Sequence, residues 1–399
     1  MSMIGSSPDS LSSEHIVLSA SSELPIPAPL PKKGELTAHR GALPALTGIR
    51  FFAAMYVVFY HSHLPETLDQ HHLHFGAMMI RNGLLAVPLF FILSGFILSY
   101  TYEGQVARPR GYRRFWEARF ARIWPLYMVS LILSTIFNHT TPHSPLVALA
   151  TVGMVQAWNP FDMKVAGSWN FVCWTLSTEA FFYLLFPPFQ QWLERRRPWV
   201  LLSCLSLMIA IAVAGAIGSI NYEDTRGLHG IPLALVHVPE FIIGVCAGNF
   251  FLRYRTRSPE KSAFPLRGAL TYLACAASLC LLCQPTVGLA RWTALSFAML
   301  LYGLAAERTM LQQLLSTRTL LIGGQISFGI YLLQWPCKAA MNQLDDLLHW
   351  NSMPLRFVLD CIVLILLSTA GFYLVEEPAR RLIRSLFART QGEPGRSRA

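Results

Sequence analysis

Ten stretches of this chain stay apolar for about 20 residues each, the length at which an α-helix crosses the hydrocarbon core of a bilayer. Their apolarity is continuous rather than alternating, so they favour helices over the strands of a membrane barrel. We therefore predict an all-α polytopic membrane protein with about ten transmembrane helices, at 45–64, 84–102, 120–138, 171–189, 199–219, 231–251, 268–285, 288–306, 320–341 and 355–375. A shorter run at 145–158 is either re-entrant or an eleventh, short span.

Charge composition supports a membrane protein and predicts its orientation. Only 14% of the residues are charged, where a soluble protein carries about 25%. With the N-terminus inside, 25 of the 32 Lys and Arg residues fall in cytoplasmic segments. This asymmetry is the positive-inside rule, and it predicts that both termini are cytoplasmic. The net charge of +10 is thus mostly a topology signal, and we expect membrane lipids rather than nucleic acid as partners.

The domain boundaries follow from composition. Residues 1–42 are rich in Ser and Pro and poor in apolar residues, so we predict a disordered cytoplasmic tail. This tail lacks the charged, apolar and small-residue regions of a cleaved signal peptide. We assign 43–382 to the membrane domain and 383–399 to a basic cytoplasmic C-terminal tail.

Arg50 and His61 are two ionisable residues within the first apolar run. They are 11 positions apart, or about three full turns, so a helix would carry both on one face, about 16 Å apart along its axis. Ionisable groups in a membrane segment are functional candidates because burying charge there is unfavourable. A structural histidine bonded to a carbonyl is the alternative for His61. No cluster with metal-ligand spacing accompanies it, so we predict no metal.

Arg119 and Arg122 lie at the cytoplasmic end of the third run, and their i, i+3 spacing places them on one helix face. Arginine guanidinium groups match phosphate oxygens bidentately, so this pair is a candidate site for a phosphorylated ligand. Anchoring to anionic lipid headgroups explains the same residues. The residues alone leave both interpretations open.

Glu179 lies inside the aromatic-rich fourth run. A buried carboxylate favours a cationic partner, so we expect Glu179 to pair with Arg50 or His61, for function or for structure alone. Pro239 predicts a helix break beside His237 and Glu240, and broken helices in membranes usually line a cavity. We interpret Glu376 and Glu377, at the end of the last run, as structural.

Several ordered blocks resemble the acyltransferase-3 family of integral membrane O-acyltransferases. The blocks, which extend over about 43–382, are Arg50 to His61, Phe90-Phe-Ile-Leu-Ser-Gly95, Arg119-Phe-Ala-Arg122, Trp174-Thr-Leu-Ser-Thr-Glu179, Pro239-Glu-Phe-Ile-Ile-Gly244, Ile330-Tyr-Leu-Leu-Gln-Trp-Pro336 and Glu377-Pro-Ala-Arg380. Where members often carry His, this chain has Gln334, so we assign that position no role in proton transfer. An added extracytoplasmic hydrolase-like domain, present in some members, is not expected here.

The resemblance implies a membrane enzyme of the bacterial inner membrane that takes an acyl group, usually acetyl, from cytoplasmic acyl-CoA. The acceptor would be a hydroxyl of a surface glycan or lipid-linked saccharide near His61. His61 would act as general base or as a transient acyl carrier. Arg50 and Glu179 would orient it or stabilise the oxyanion, and Arg119 and Arg122 would hold acyl-CoA, the donor substrate, with no permanently bound cofactor.

Two other functions compete with this one. A polytopic transporter could use Arg50, Glu179 and Glu240 as a substrate or proton path. Against it, the sequence shows neither inverted repeats nor paired broken helices in its two halves. An enzyme of the same family acting on a small molecule such as a macrolide is the other alternative.

Overall fold

The computed structural model describes residues 43–159, 163–220, 231–255, 268–284, 292–348 and 353–390. All regular structure in these ranges is helical. The α-helices are α1 Pro44–Tyr60, α2 Leu64–Gln70, α3 His74–Arg81, α4 Ala86–Tyr102, α5 Gly111–Phe137, α6 Pro145–Val152, α7 Met163–Ala166, α8 Trp174–Glu194, α9 Pro198–Ile220, α10 Leu233–Val236, α11 Val238–Arg255, α12 Ala269–Leu282, α13 Thr293–Ala306, α14 Met310–Leu315, α15 Arg318–Leu348, α16 Met353–Gly371 and α17 Glu377–Thr390.

The ten apolar runs coincide with helices, which confirms the all-α class for the part of the chain that the structure describes. Among the described residues, three helical stretches are long and apolar enough to cross a membrane: 74–102, 111–137 and 354–387. Shorter apolar helices occupy 44–60, 198–214, 269–282 and 293–306. The number of ten spans therefore stays a prediction.

Three segments differ in detail from the sequence prediction. The run at 145–158 contains only the eight-residue helix α6 and a short 3₁₀ turn at Gln156–Trp158, so it is not one continuous helix. Helix α17 continues past residue 382, where we place the end of the membrane domain, to Thr390. The predicted N-terminal tail, 1–42, lies outside the described residues.

Helices that bear several of the blocks named in the sequence analysis pack closely together. Helix α4 packs most extensively against α11, and α1 against α15. A Cβ atom at Gly95 or Gly244 would come within 3.0 Å of backbone atoms across the α4–α11 contact, so only glycine permits this approach. The contact between α1 and α15 brings the first apolar run against the block that contains Gln334.

A five-residue π-helical turn, Phe372–Glu376, joins α16 to α17. Wide turns of this kind often occur at functional sites because they re-aim side chains. Here the turn packs against α5, the helix that carries Arg119 and Arg122. It ends at Glu376, which is only 1% exposed.

Candidate active site

His61 follows the last residue of α1 and is held by three hydrogen bonds and one ring contact. Its backbone N–H donates to the carbonyl oxygen of Val57 (3.1 Å), and its own carbonyl oxygen accepts a hydrogen bond from Lys338 Nζ (2.6 Å). Its ring lies edge-on to Trp335, with 5.6 Å between the ring centroids. The third hydrogen bond joins Nδ1 of His61 and Oε1 of Gln334 at 3.0 Å.

The Gln334 amide determines which nitrogen of His61 carries the proton. Its Nε2 donates to the carbonyl oxygen of Tyr331 at 2.7 Å, so its oxygen is the end that faces His61. An amide oxygen only accepts hydrogen bonds. Nδ1 of a neutral His61 must therefore be protonated, which leaves a lone pair on Nε2. A histidine in this tautomer can accept a proton or attack a carbonyl carbon through Nε2.

A cavity of about 220 Å³ adjoins His61 between the end of α1 and helices α15 and α16. Its walls are mostly apolar, with a few polar and charged groups. It is lined by Val58, His61, Ser62, His63, Leu64, Thr67, Gln334, Trp335, Cys337, Lys338, Pro354, Arg356, Phe357, Val358, Asp360, Cys361 and Leu364. Apolar walls with a few polar groups are typical of small-molecule sites. We call this space the His61 cavity.

Arg50 and Glu179 line a second, smaller cavity of about 60 Å³, together with Thr175, Ser327 and Tyr331. We call it the Arg50 cavity. Its residues come from α1, α4, α8 and α15. His61 does not line it. The predicted pair Arg50 and His61 therefore belongs to two neighbouring cavities, as the three helical turns between them require.

Glu179 does not form the predicted pair with Arg50 or His61 among the described residues. Its Oε1 instead accepts hydrogen bonds from the hydroxyls of Ser94 (3.0 Å) and Tyr183. Both hydroxyls bond the same carboxylate oxygen, and Arg50 acts on Glu179 by electrostatic attraction rather than through a direct ion pair. The Nε atom of Arg50 is buried with no hydrogen-bond partner in the part of the chain described, although Glu179 lies within electrostatic range of it.

One turn of α15 lies between the two cavities. Tyr331 lines the Arg50 cavity and Gln334 lines the His61 cavity, and the 2.7 Å hydrogen bond from the Gln334 amide to the Tyr331 carbonyl links them. The Tyr331 hydroxyl accepts a hydrogen bond from Thr175 at 2.9 Å. Hydrogen bonds therefore fix this turn on the side of each cavity. A displacement of Tyr331 in the Arg50 cavity would act directly on Gln334 in the His61 cavity.

Arg119 and Arg122 both lie within electrostatic range of Arg50. Arg119 donates to the Tyr102 hydroxyl (3.1 Å), and its guanidinium lies 5.5 Å from the centroid of that ring. Arg122 is within electrostatic range of Arg50 and of Glu376. The three arginines and two glutamates thus form one charged cluster beside the Arg50 cavity.

Sequence reasoning missed three residues of this region. Gln334 contacts His61 directly, although we assigned it no role in proton transfer. Lys338, one turn further along α15, donates a hydrogen bond to the carbonyl oxygen of His61. The i, i+4 spacing of Gln334 and Lys338, which places them on one helix face, is the sequence signal for this pair. Glu376, interpreted as structural, is buried and neither of its carboxylate oxygens has a hydrogen-bond partner among the described residues.

Two further sequence expectations concern other clusters. Pro239 does coincide with a helix break, since α10 ends at Val236 and α11 begins at Val238. His237 and Glu240 approach to 3.6 Å beside this break, further apart than a hydrogen bond. Within the described residues, His, Cys, Asp and Glu do not come together in any group of three that could hold a metal ion.

Comparison with known proteins gives a consistent family assignment. A family model described as an acyltransferase domain matches residues 43–375. Acyltransferase MdmB of Streptomyces mycarofaciens is 25% identical over 368 residues, which cover 86% of this chain and 92% of that protein. The putative peptidoglycan O-acetyltransferase YrhL of Bacillus subtilis is 25% identical over 391 residues, which cover 86% of this chain but 56% of YrhL.

A third relative matches over a shorter region. O-acetyltransferase OatA of Staphylococcus aureus is 26% identical over 160 residues, 36% of this chain and 24% of OatA. This chain thus spans nearly all of MdmB and about half of YrhL. No solved structure matches it. The chain belongs to the acyltransferase-3 family of integral membrane O-acyltransferases, and it is an enzyme that transfers acyl groups.

Proposed function

We propose that this enzyme moves an acetyl group from cytoplasmic acetyl-CoA to a hydroxyl of a surface glycan or glycolipid, in the bacterial inner membrane with both termini cytoplasmic. The observation that carries the proposal is the geometry at His61, whose Nδ1 is bound to the Gln334 oxygen while its ring borders the His61 cavity. A histidine with a lone pair on Nε2 next to a cavity is suited to accept a proton from a bound hydroxyl.

In this mechanism, His61 Nε2 takes the proton of the acceptor hydroxyl as its oxygen forms a bond to the thioester carbonyl carbon. The C–S bond then breaks, and the CoA sulfur takes the proton from the imidazolium. Alternatively, Nε2 attacks the thioester carbonyl carbon first, and the C–S bond breaks to release CoA as the thiolate. The acceptor hydroxyl then attacks the acetyl-imidazole, the bond from the acetyl carbon to Nε2 breaks, and the hydroxyl proton goes to the CoA thiolate. Both routes balance without a further reactant and require the same lone pair on Nε2.

The charged cluster around Arg50 supplies the donor side of the proposal. Arg119 and Arg122 would bind the phosphates of acetyl-CoA, because guanidinium groups match phosphate oxygens. Arg50, whose Nε has no partner among the described residues, lines the other cavity about three helical turns from His61, so it would extend this cationic donor site rather than contact the thioester oxygen at His61. Glu179, fixed by Ser94 and Tyr183, would hold the cationic cluster in place.

Family membership favours this function over a transporter, because the relatives are named acyltransferases and O-acetyltransferases. The choice of a glycan as acceptor is supported only by the name of one relative. The names of YrhL and OatA refer to O-acetyl transfer, and that of YrhL to peptidoglycan. If the enzyme instead acylates a small hydroxylated molecule such as a macrolide, that molecule replaces the glycan as the acceptor.

The first test measures transfer from radiolabelled acetyl-CoA to glycan in membranes that contain the enzyme. His61→Ala should lower kcat about 10²–10⁴-fold, the usual contribution of a general base, with expression and membrane insertion unchanged. The matched control is His71→Ala, an exposed histidine of the nearby loop. Full turnover by His61→Ala would exclude the catalytic assignment.

The second test separates donor from acceptor. Arg119→Gln or Arg122→Gln should raise KM for acetyl-CoA with little change in KM for the acceptor, and Arg108→Gln, an exposed arginine before α5, is the control. A change confined to the acceptor KM would refute donor binding by these residues. Mass spectrometry of surface polysaccharide from cells with and without the enzyme then identifies the acyl group and the acceptor.

A further inference from the structure

The His61 cavity contains a carboxylate that the mechanism above does not use. Asp360 of α16 lines the cavity, and its Oδ1 is buried with no hydrogen-bond partner among the described residues. Buried polar atoms in folded proteins nearly always have a partner, so an unpaired carboxylate oxygen needs an explanation. A ligand group that donates a hydrogen bond from within the cavity would supply one.

The cations near Asp360 are already engaged by other groups. Arg356, one turn earlier on α16, donates to Asp345 and to Asn342 of α15. Lys338 donates from Nζ to the carbonyl oxygen of His61. Both lie within electrostatic range of Asp360, but they donate their hydrogen bonds to these other groups. They therefore leave Oδ1 of Asp360 unoccupied among the described residues.

The other walls of the cavity restrict the shape of a ligand. Trp335 and Phe357 contribute aromatic rings, and Val58 and Leu364 contribute aliphatic surface. A volume of about 220 Å³ is below the ~300 Å³ at which drug-sized sites begin, so it suits one ring rather than an extended chain. Aromatic rings pack against the C–H face of a sugar ring, and a carboxylate accepts hydrogen bonds from its hydroxyls.

We propose that the His61 cavity is the acceptor subsite and binds a single sugar ring, with Asp360 Oδ1 accepting a hydrogen bond from one ring hydroxyl while another hydroxyl faces His61. The proposal rests on the proposed function and narrows its acceptor to a neutral, hydroxyl-bearing ring at the end or branch of a glycan. Asp360 would thereby select which hydroxyl is acylated, because it sets the rotation of the ring in front of His61.

Steady-state kinetics test the role of Asp360. Asp360→Ala should raise KM for the glycan acceptor at least about tenfold, the effect of losing one hydrogen bond to a charged group, with KM for acetyl-CoA unchanged. Asp346→Ala, an exposed aspartate on α15 that does not line the cavity, should match the wild type. An unchanged acceptor KM in Asp360→Ala would overturn the proposal and leave the proposed function intact.

Thiol protection tests the site without relying on acyl transfer. Cys361 lines the cavity next to Asp360, whereas Cys280 is exposed outside it. Peptide mass spectrometry would follow maleimide alkylation of both cysteines in the purified protein with methyl glycosides of glucose, galactose, mannose and N-acetylglucosamine. At least one glycoside should slow alkylation of Cys361 and not of Cys280, and Asp360→Ala should remove this protection.

The two measurements separate the proposals. Protection by a sugar in a protein that does not transfer acetyl groups would refute the proposed function and retain the sugar site. Transfer to glycan, with Cys361 alkylated at the same rate in the presence of every glycoside, would refute the sugar site and retain the function.

Discussion

The hydrogen bond between His61 and Gln334 gives the most direct prediction of the mechanism. Gln334→Ala removes the oxygen that accepts the Nδ1 proton at 3.0 Å. A hydrogen bond of this kind is worth about 1 kcal/mol to a neutral ring and about 1.5–3 kcal/mol once the ring is charged. Only the difference acts on the transition state, in which His61 becomes an imidazolium. This difference, about 0.5–2 kcal/mol, lowers kcat about 2- to 30-fold.

The assay is steady-state acetyl transfer at saturating donor and acceptor, with the thermal midpoint in detergent measured in parallel. Gln334→Glu keeps an acceptor at Nδ1 and should retain more activity than Gln334→Ala. Gln343→Ala is the control on the same helix, since its side chain donates to the Phe137 carbonyl (2.8 Å) and does not line the His61 cavity. Wild-type kcat in a folded Gln334→Ala protein would refute the tautomer argument.

Two further predictions concern the fold. Gly95→Ala would push α4 away from the backbone of α11 and should destabilise the protein by about 1–3 kcal/mol, seen as a lower thermal midpoint. Gly76→Ala is the control, because its added Cβ meets only a side-chain atom at 3.4 Å. Equal thermal midpoints for the two variants would contradict the packing argument. Hydrogen bonds from His74 and then Arg81 hold the pKa of Asp69 below its usual value. The stabilisation from these hydrogen bonds is present above about pH 3.9 and is lost as the pH falls through the lowered pKa of Asp69. Loss of protection from hydrogen exchange in residues 64–81 should therefore appear below that lowered pKa. Asp69→Asn should show the reduced protection at every pH.

Much of the fold follows from local pattern, because a continuous apolar run can satisfy its backbone in a membrane only as a helix. The run at 145–158 shows where this reasoning stops. Ser144 caps α6 through its hydroxyl, and the helix ends after eight residues. The chain then turns so that the Ala157 N–H and the Trp158 indole bind the hydroxyl and carbonyl of Ser177. Apolarity gives no information about these contacts.

The sequence predicts which residues belong to the candidate site better than it predicts which residues they contact. Helical spacing predicts that Arg50 and His61 lie three turns apart, and the structure, in which His61 directly follows α1, assigns them to adjacent cavities. The contact of His61 with Gln334 joins residues 273 positions apart, so it depends on how α1 packs against α15. Burial predicts a cationic partner for Glu179; its hydrogen bonds come from two hydroxyls, while Arg50 lies within electrostatic range without a direct ion pair. Local sequence determines a helix face, while helix packing determines what that face meets.

The π-helical turn at Phe372–Glu376 has a consequence for how chains of this family can change length. A π turn holds one residue more than an α turn over the same stretch of helix. Deleting one residue within it would let the turn close to α geometry, with α16 and α17 staying in place. A deletion elsewhere in these helices would rotate every later side chain by about 100°. This turn is therefore a position at which α16–α17 can lose a single residue while the rest of the bundle keeps its register.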